Sequence, residues 1–375
     1  MLATRSLFLL LFVYIGAHGN YFGIWLRDEA GWSEAEIGWQ GGLHYACLIL
    51  FPLLWGHRVD RTGDPGRVLR FIAVSSTLTF IPFVLTKAVI PLLVASVVFG
   101  AFRVGMVTTT DTYALAHITA TKGDYGRIRI WGSAGFIVGG FLMAWIAETW
   151  GRDTIPASLM AVLAATAVLT CFLPGQVTLK PQQAESVMVG LRRLAARSDI
   201  RRFLLVSFGA RLWSQGLYIF LPLHLTDIGI PQSHVAAYWA VGVVSEIILM
   251  GNAQRFFGTF ATRRVLPLCL ALAALQYALL AAVTDAYALF AVMLLHGMTF
   301  GIWYYASVTW LAKNLPVSDR ARGQGMFQSV SFGVGGTLSA IICGYVYDLA
   351  GGPGMFGVTA AGVLLVALWG ARTLP

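Results

Sequence analysis

Two stretches of the sequence, WGSAGFIVGGFLMA at residues 131–144 and FQSVSFGVGGTLSA at residues 327–340, decide how the whole chain is interpreted. They lie 196 residues apart and share seven identical residues. The matches are Ser133/Ser329, Phe136/Phe332, Val138/Val334, Gly139/Gly335, Gly140/Gly336, Leu142/Leu338 and Ala144/Ala340. A similar offset pairs GWSEAEIGW (31–39) with GIPQSHVAAYW (229–239). These matches indicate an internal repeat of about half the chain.

The composition around this repeat is that of a protein whose solvent is lipid. Hydrophobic residues make up 57% of the chain and charged residues 11%, whereas soluble domains contain about 25% charged residues. A soluble chain with so few polar groups would be unable to cover its surface. The 41 glycines fit helices that approach one another closely inside a membrane. The sequence therefore predicts an all-α, multi-pass membrane protein.

Twelve apolar runs of about 20 residues are long enough to cross a bilayer as helices. They cover residues 6–26, 36–56, 69–87, 90–115, 127–147, 154–173, 203–225, 234–257, 265–284, 286–311, 323–346 and 354–371. With the N-terminus inside, 21 of the 26 Lys and Arg residues fall on the inner side, while Arg27, Lys87 and Arg152 fall outside. This asymmetry places both termini in the cytoplasm. It also explains the net charge of +9 without a nucleic-acid partner.

The repeat and the spans predict a chain of two halves. Residues 1–174 form an N-terminal half of six helices, 175–201 a polar cytoplasmic linker, and 202–375 a C-terminal half of six helices. Parallel repeats of this kind are related by a pseudo-two-fold axis along the membrane normal, and they are typical of transporters with a substrate site near the midplane. Phosphate-binding loops, nucleophile elbows and metal-ligand spacings are not found, so the sequence predicts neither an enzyme nor a metal or cofactor site.

After span two comes GHRVDRTGDPGRVLR (56–70), which resembles the signature loop of the major facilitator superfamily. The residues that fit the signature, with Asp64-Pro65 interrupting its end, are Gly56, Asp60, Arg61, Gly63 and Arg67. We interpret them as a cytoplasmic gating loop, in which Asp60 pairs with arginines or a helix N-terminus in one conformational state.

Further motifs resemble one branch of that superfamily. DYGRIRIWGSAGF (124–136) is similar to span five of lactose-permease-like and phenylpropionate-permease-like carriers. YWAVGVVSEIILM (238–250) and LHGMTFG (295–301) resemble spans eight and ten of the phenylpropionate-like group. The resemblance implies that Asp111 and Arg129, which lie 18 residues apart on consecutive helices, hold the substrate. A purely structural ion pair is the alternative.

Ionisable groups within spans are costly and are therefore candidate functional residues. Glu246 lies in the middle of span eight and could take up and release a proton. His296 lies in span ten, where it is either functional or a satisfied interior histidine. The lactose-permease-like pattern has an arginine and a carboxylate where this chain has Gln276 and Thr299. The resemblance therefore leaves proton coupling to Glu246, Asp111 or a histidine.

Two arginines lie within spans, Arg103 in span four and Arg211 in span seven. A guanidinium is permanently charged and suited to bidentate binding of a carboxylate. Either arginine could instead pair with Asp111 or Glu246. Aromatic residues on the neighbouring spans could form part of a binding site, although most are expected to pack or to lie at the membrane interface. They include Tyr21, Trp25, Trp213, Tyr218, Trp303, Tyr304 and Tyr305.

Together these features predict a monomeric transporter of the inner membrane that moves a small organic solute by alternating access. We expect proton-coupled symport of an aromatic or other carboxylate. Sugar or nucleoside symport is the alternative, as is a membrane assembly factor with the same fold. The expected partners are the substrate, protons and membrane lipid.

Overall fold

The computed structural model describes residues 2–121, 125–173, 187–257 and 262–374, which are helical almost throughout and contain no strand. Eleven helices in these ranges are long and apolar enough to cross a membrane. They are α1 (Leu2–Asp28), α2 (Glu34–Thr62), α3 (Pro65–Leu85), α4 (Val89–His117), α5 (Arg127–Trp150), α6 (Arg152–Cys171), α7 (Ser198–Asp227), α8 (Gln232–Gly251), α9 (Arg263–Ala282), α10 (Ala286–Asn314) and α11 (Asp319–Thr373). The predicted all-α membrane class is confirmed.

The first ten predicted spans each coincide with one helix, with ends that differ by a few residues. The last two, at 323–346 and 354–371, fall within the single 55-residue range of α11. Gly351 interrupts the helical dihedrals there, with φ of 64° and ψ of −175°. The chain is helical again directly after Gly351, so the two predicted spans are joined in one continuous helical range. Counted by helix length and composition, the described residues therefore contain eleven candidate spans. The count of twelve stays a prediction.

The chain divides into two compact units. Unit 1 comprises Met1–Gln183 and Gln232–Ala236, and unit 2 comprises Ala184–Pro231 and Ala237–Pro375. Within the predicted linker 175–201, residues 175–186 lie outside the described residues, and Val187–Ala196 forms a short helix. In unit 1 α1 packs along α5, and in unit 2 α7 packs against α11. The two repeated segments lie in α5 and α11, so each contributes to the equivalent helix pair of its own unit.

Glycines allow the α1–α5 pair to approach backbone to backbone. A Cβ atom added at Gly16 would overlap the main-chain carbonyl of Phe136, and one at Gly139 would overlap that of Val13. In unit 2, a Cβ at Gly335 would lie 3.0 Å from the carbonyl oxygen of Phe208 on α7. The repeated glycines therefore permit the close packing that membrane helices need.

The loop between α2 and α3 is a turn between two capped helix ends. Gly63 ends α2 in the left-handed conformation, with φ of 63°. The Asp64 carboxylate then accepts a hydrogen bond of 2.9 Å from the main-chain N–H of Arg67. The residues that interrupt the superfamily signature, Asp64 and Pro65, thus begin α3 as its N-cap and its first-turn proline. Asp60 and Arg61 are exposed on the last turn of α2.

Asp64→Ala should lower the stability of the purified protein by about 1 kcal/mol, because the N-cap hydrogen bond is lost. Asp60→Ala, four residues earlier, removes the same charge without removing a cap, and should leave stability unchanged. Thermal melting of both variants in detergent measures the difference. Equal melting temperatures for the two variants would contradict the capping role of Asp64.

Candidate functional site

Arg211 lies at the centre of an aromatic cluster in unit 2. Its side chain projects from α7, and the residue is only 3% exposed. The guanidinium carbon lies 4.4 Å from the centre of the Phe332 ring. The rings of Tyr218, Phe300 and Trp303 surround it at 5.2, 5.4 and 5.7 Å. Each distance is within the range at which a cation is attracted to an aromatic face.

The polar contacts of Arg211 are few for a buried cation. One terminal nitrogen donates a hydrogen bond to the Gln215 side-chain oxygen. Its Nε is buried without a hydrogen-bond partner, and within the described ranges no carboxylate forms an ion pair with Arg211. The rings, the Gln215 amide and the Tyr218 hydroxyl replace only part of the hydration that a guanidinium loses on burial. Arg211 therefore retains capacity to bind an anion.

His296 borders this cluster on α10. It is 2% exposed, and its ring stacks on that of Phe300 with centroids 5.6 Å apart. Its Nε2 lies 3.5 Å from the Tyr218 hydroxyl, and the Trp239 ring meets it edge-on at 5.6 Å. Tyr218 and Phe300 contact both His296 and Arg211. The structure therefore places the histidine predicted from the sequence next to Arg211.

The helices that carry these rings are locally π-helical. Residues Gly297–Ile302 in α10 and Gln328–Gly335 in α11 have the wider turn, and they hold Phe300 and Phe332. π-helical turns are rare and occur frequently at functional sites. Phe300 and Gln215 are not among the site residues predicted from the sequence, and Phe332 appears there only as a repeat match, because hydropathy carries no signal for a π turn.

Glu246 on α8 is half-buried and also approaches the cluster. It interacts electrostatically with Tyr218. Its Cγ would lie 2.9 Å from a Cβ added to Gly301, the residue after Phe300. Because Gly301 has no side chain, the Glu246 side chain can pack against α10.

Gln276 and Thr299, which stand at the relay positions of the related pattern, are in direct contact. The Thr299 hydroxyl donates a 2.8 Å hydrogen bond to the Gln276 side-chain oxygen. Gln276 is fully buried on α9. A neutral hydrogen bond between α9 and α10 thus lies where the lactose-permease-like pattern has an arginine and a carboxylate.

Arg103 forms a second cation–aromatic cluster in unit 1. Its guanidinium carbon lies 5.3 Å from the centre of the Tyr14 ring on α1. His18 and His44 interact electrostatically with it, and Phe99 packs edge-on against Tyr14 at 6.2 Å. The Tyr14 hydroxyl also faces the Arg103 side chain, whereas the buried Nε of Arg103 has no hydrogen-bond partner within the described residues.

The two clusters are related by the internal repeat, with the residue types exchanged. Tyr14 and Arg211 are 197 residues apart, and so are Arg103 and Phe300. In each unit one arginine therefore bridges the first and fourth helices through an aromatic ring. The arginine lies on the fourth helix, α4, in unit 1 and on the first, α7, in unit 2.

Asp111 and Arg129 are both half-buried in unit 1. The Arg129 guanidinium carbon lies 4.4 Å from the Phe12 ring centre and 5.9 Å from that of Phe8, both on α1. Arg129 thus contacts aromatic rings of α1. A shared role in substrate binding stays a prediction.

These features define an all-helical, multi-pass membrane protein with buried cation–aromatic clusters. A family model described as "MFS_1 like family" matches residues 2–358. The chain belongs to this family of the major facilitator superfamily, and it is a membrane transporter rather than an enzyme.

Several relatives have similarity along most of the chain. The "Putative nucleoside transporter YegT" of Escherichia coli (strain K12) is 27% identical, over 93% of this chain and 85% of that protein. The "Probable 3-phenylpropionic acid transporter" of the same strain is also 27% identical, over 98% and 96%. A crystal structure of a variant of nucleoside transporter NupG has a TM-score of 0.90 at 18% identity, covering 100% of this chain and 99% of that one. This last similarity concerns the fold.

Proposed function

We propose that the chain transports a small organic anion that carries an aromatic ring, by alternating access across the inner membrane. The observation that carries this proposal is Arg211, a buried guanidinium enclosed by four rings and without a carboxylate partner among the described residues. A carboxylate would supply the missing counter-ion through charge-assisted hydrogen bonds. The surrounding rings provide apolar and stacking surfaces for the rest of the solute.

A nucleoside is the second candidate, favoured by a different observation. The relatives include a putative nucleoside transporter and a nucleoside permease, and the stacked rings of His296 and Phe300 offer a surface for a base. Uptake by proteoliposomes separates the two candidates, using radiolabelled phenylpropionate, benzoate, uridine and maltose. Saturable uptake of the aromatic acids, blocked by the other acid but not by uridine, is expected. Uptake of uridine alone would overturn the first candidate.

We further propose that protons drive this transport and that Glu246 carries the coupled proton. Support comes from its half-buried position beside the Arg211 cluster and from the neutral pair at Gln276 and Thr299. Protonation and substrate binding would then both bias the same two-state equilibrium.

Glu246→Gln should abolish substrate-driven proton entry while leaving counterflow exchange of substrate measurable, because an amide cannot release a proton. A pH-sensitive dye inside the proteoliposomes reports proton entry, and labelled substrate reports exchange. Undiminished proton entry with Glu246→Gln would exclude Glu246 as the coupling residue.

For the topology we propose twelve spans, with the break at Gly351 separating the last two, and with both termini in the cytoplasm. The distribution of Lys and Arg residues supports this orientation.

The proposed gating loop consists of Gly56, Asp60, Arg61, Gly63 and Arg67, of which the charged pair Asp60 and Arg61 is exposed. We propose that the transporter acts as a monomer.

A further inference from the structure

A cavity outside both arginine clusters lies between the end of α2 and the start of α3. Its volume is about 250 Å³. Three of its lining residues come from α2 and three from α3: Trp55, Arg58 and Thr62, and Arg67, Val68 and Phe71. The lining is therefore basic at one end and apolar at the other.

The apolar end of the cavity packs against α4. The Trp55 indole nitrogen donates a 2.7 Å hydrogen bond to the Ala101 carbonyl on α4. Its ring packs against those of Phe102 and Phe71, with centroids 5.6 and 6.0 Å away. A Cβ at Gly105 would overlap the Trp55 ring, so this glycine makes the arrangement possible.

The basic end has unused binding capacity. Arg58 and Arg67 are exposed, and neither side chain has a hydrogen bond or ion pair within the described part of the chain. The nearby Asp64 carboxylate is engaged by the main-chain N–H of Arg67. Two guanidinium groups without partners thus border one cavity.

The surface of α2 and α3 changes from apolar to basic at this cavity. Leu54 and Phe71 are 48% and 58% exposed, as expected for side chains that face acyl chains, whereas Arg58 and Arg67 follow on the polar side. An anionic head joined to an apolar tail would match both parts of this lining. We propose that this cavity binds an anionic phospholipid, with its phosphate on Arg58 and Arg67 and an acyl chain against Trp55 and Phe71.

Native mass spectrometry of the detergent-purified protein, titrated with phosphatidylglycerol or phosphatidylcholine of the same chains, tests the proposal. The Arg58→Gln/Arg67→Gln variant should bind phosphatidylglycerol at least about tenfold more weakly, since each basic residue near a lipid surface contributes about 1 kcal/mol. Arg61→Gln/Arg70→Gln removes the same charge from the same two helices outside the cavity. It should weaken binding much less, because neither arginine lines the cavity.

Phe71→Gln tests whether the occupant is a lipid or a soluble phosphate. It should weaken phosphatidylglycerol binding while both arginines remain in place. Glycerol 3-phosphate should not displace the lipid at comparable concentrations. Equal losses in the two double variants, no loss in either, or displacement by glycerol 3-phosphate would each overturn the proposal.

Discussion

Arg211→Met should lower the uptake efficiency for an aromatic carboxylate by about 100-fold or more. Two charge-assisted hydrogen bonds of about 1.5 kcal/mol or more each would be lost, and each 1.4 kcal/mol corresponds to about tenfold. Methionine keeps an unbranched apolar chain against the rings of Phe332 and Tyr218. The variant therefore removes the charge and leaves most of the packing.

The stability of the same variant distinguishes a substrate-binding arginine from a structural one. A buried cation without a carboxylate partner costs desolvation energy, so replacing it by an apolar residue should leave thermal stability unchanged or raise it. A structural Arg211 would instead give a lower melting temperature. The expected combination is lost uptake with retained stability.

Arg202→Met on the same helix is the matched control. Arg202 is exposed and is not part of the cluster, so both uptake and melting temperature should remain those of the unaltered protein. Arg211→Lys retains a positive charge but has no planar fork, and should recover only part of the uptake. If Arg211→Met transported the carboxylate as well as the unaltered protein, the proposed role of Arg211 would be wrong.

Gly16→Ala should destabilise unit 1 by about 2 to 3 kcal/mol, within the range for overpacked cores. The added methyl group would overlap the main-chain carbonyl of Phe136, and a carbonyl in a helix cannot rotate away. Relief therefore requires α1 and α5 to separate. Separation would also disturb Tyr14 and with it the contact to Arg103.

Gly19→Ala provides the contrast, on the same helix and three residues further on. A Cβ at Gly19 meets no atom within 4 Å, and alanine is a better helix former than glycine by about 1 kcal/mol. Gly19→Ala should therefore be neutral or stabilising. Thermal unfolding of both variants in the same detergent gives the comparison, and a Gly16→Ala protein as stable as Gly19→Ala would refute the close α1–α5 packing.

Hydropathy and the internal repeat predicted much of the fold correctly. Ten of the predicted spans coincide with helices, because the length of an apolar run and the saturation of backbone hydrogen bonds in lipid leave few alternatives to a helix. The repeated segments also occupy equivalent helices, α5 and α11. The sequence predicted two spans separated by a loop where the structure has the single helical range α11, interrupted at Gly351. Hydropathy does not distinguish a local break in a helix from a loop between two helices.

The sequence by itself determined the class of the protein and which charged residues lie within spans, including Arg103, Arg211, Glu246 and His296. Which of these residues meet was decided by the tertiary structure. Phe300 and Phe332 both lie in π-helical turns and close to Arg211. The contacts between α7, α10 and α11 that bring them together cannot be deduced from spacing along the chain. The physical reason is that burial cost depends on residue type and is local, whereas the partner of a buried charge depends on the packing of distant helices.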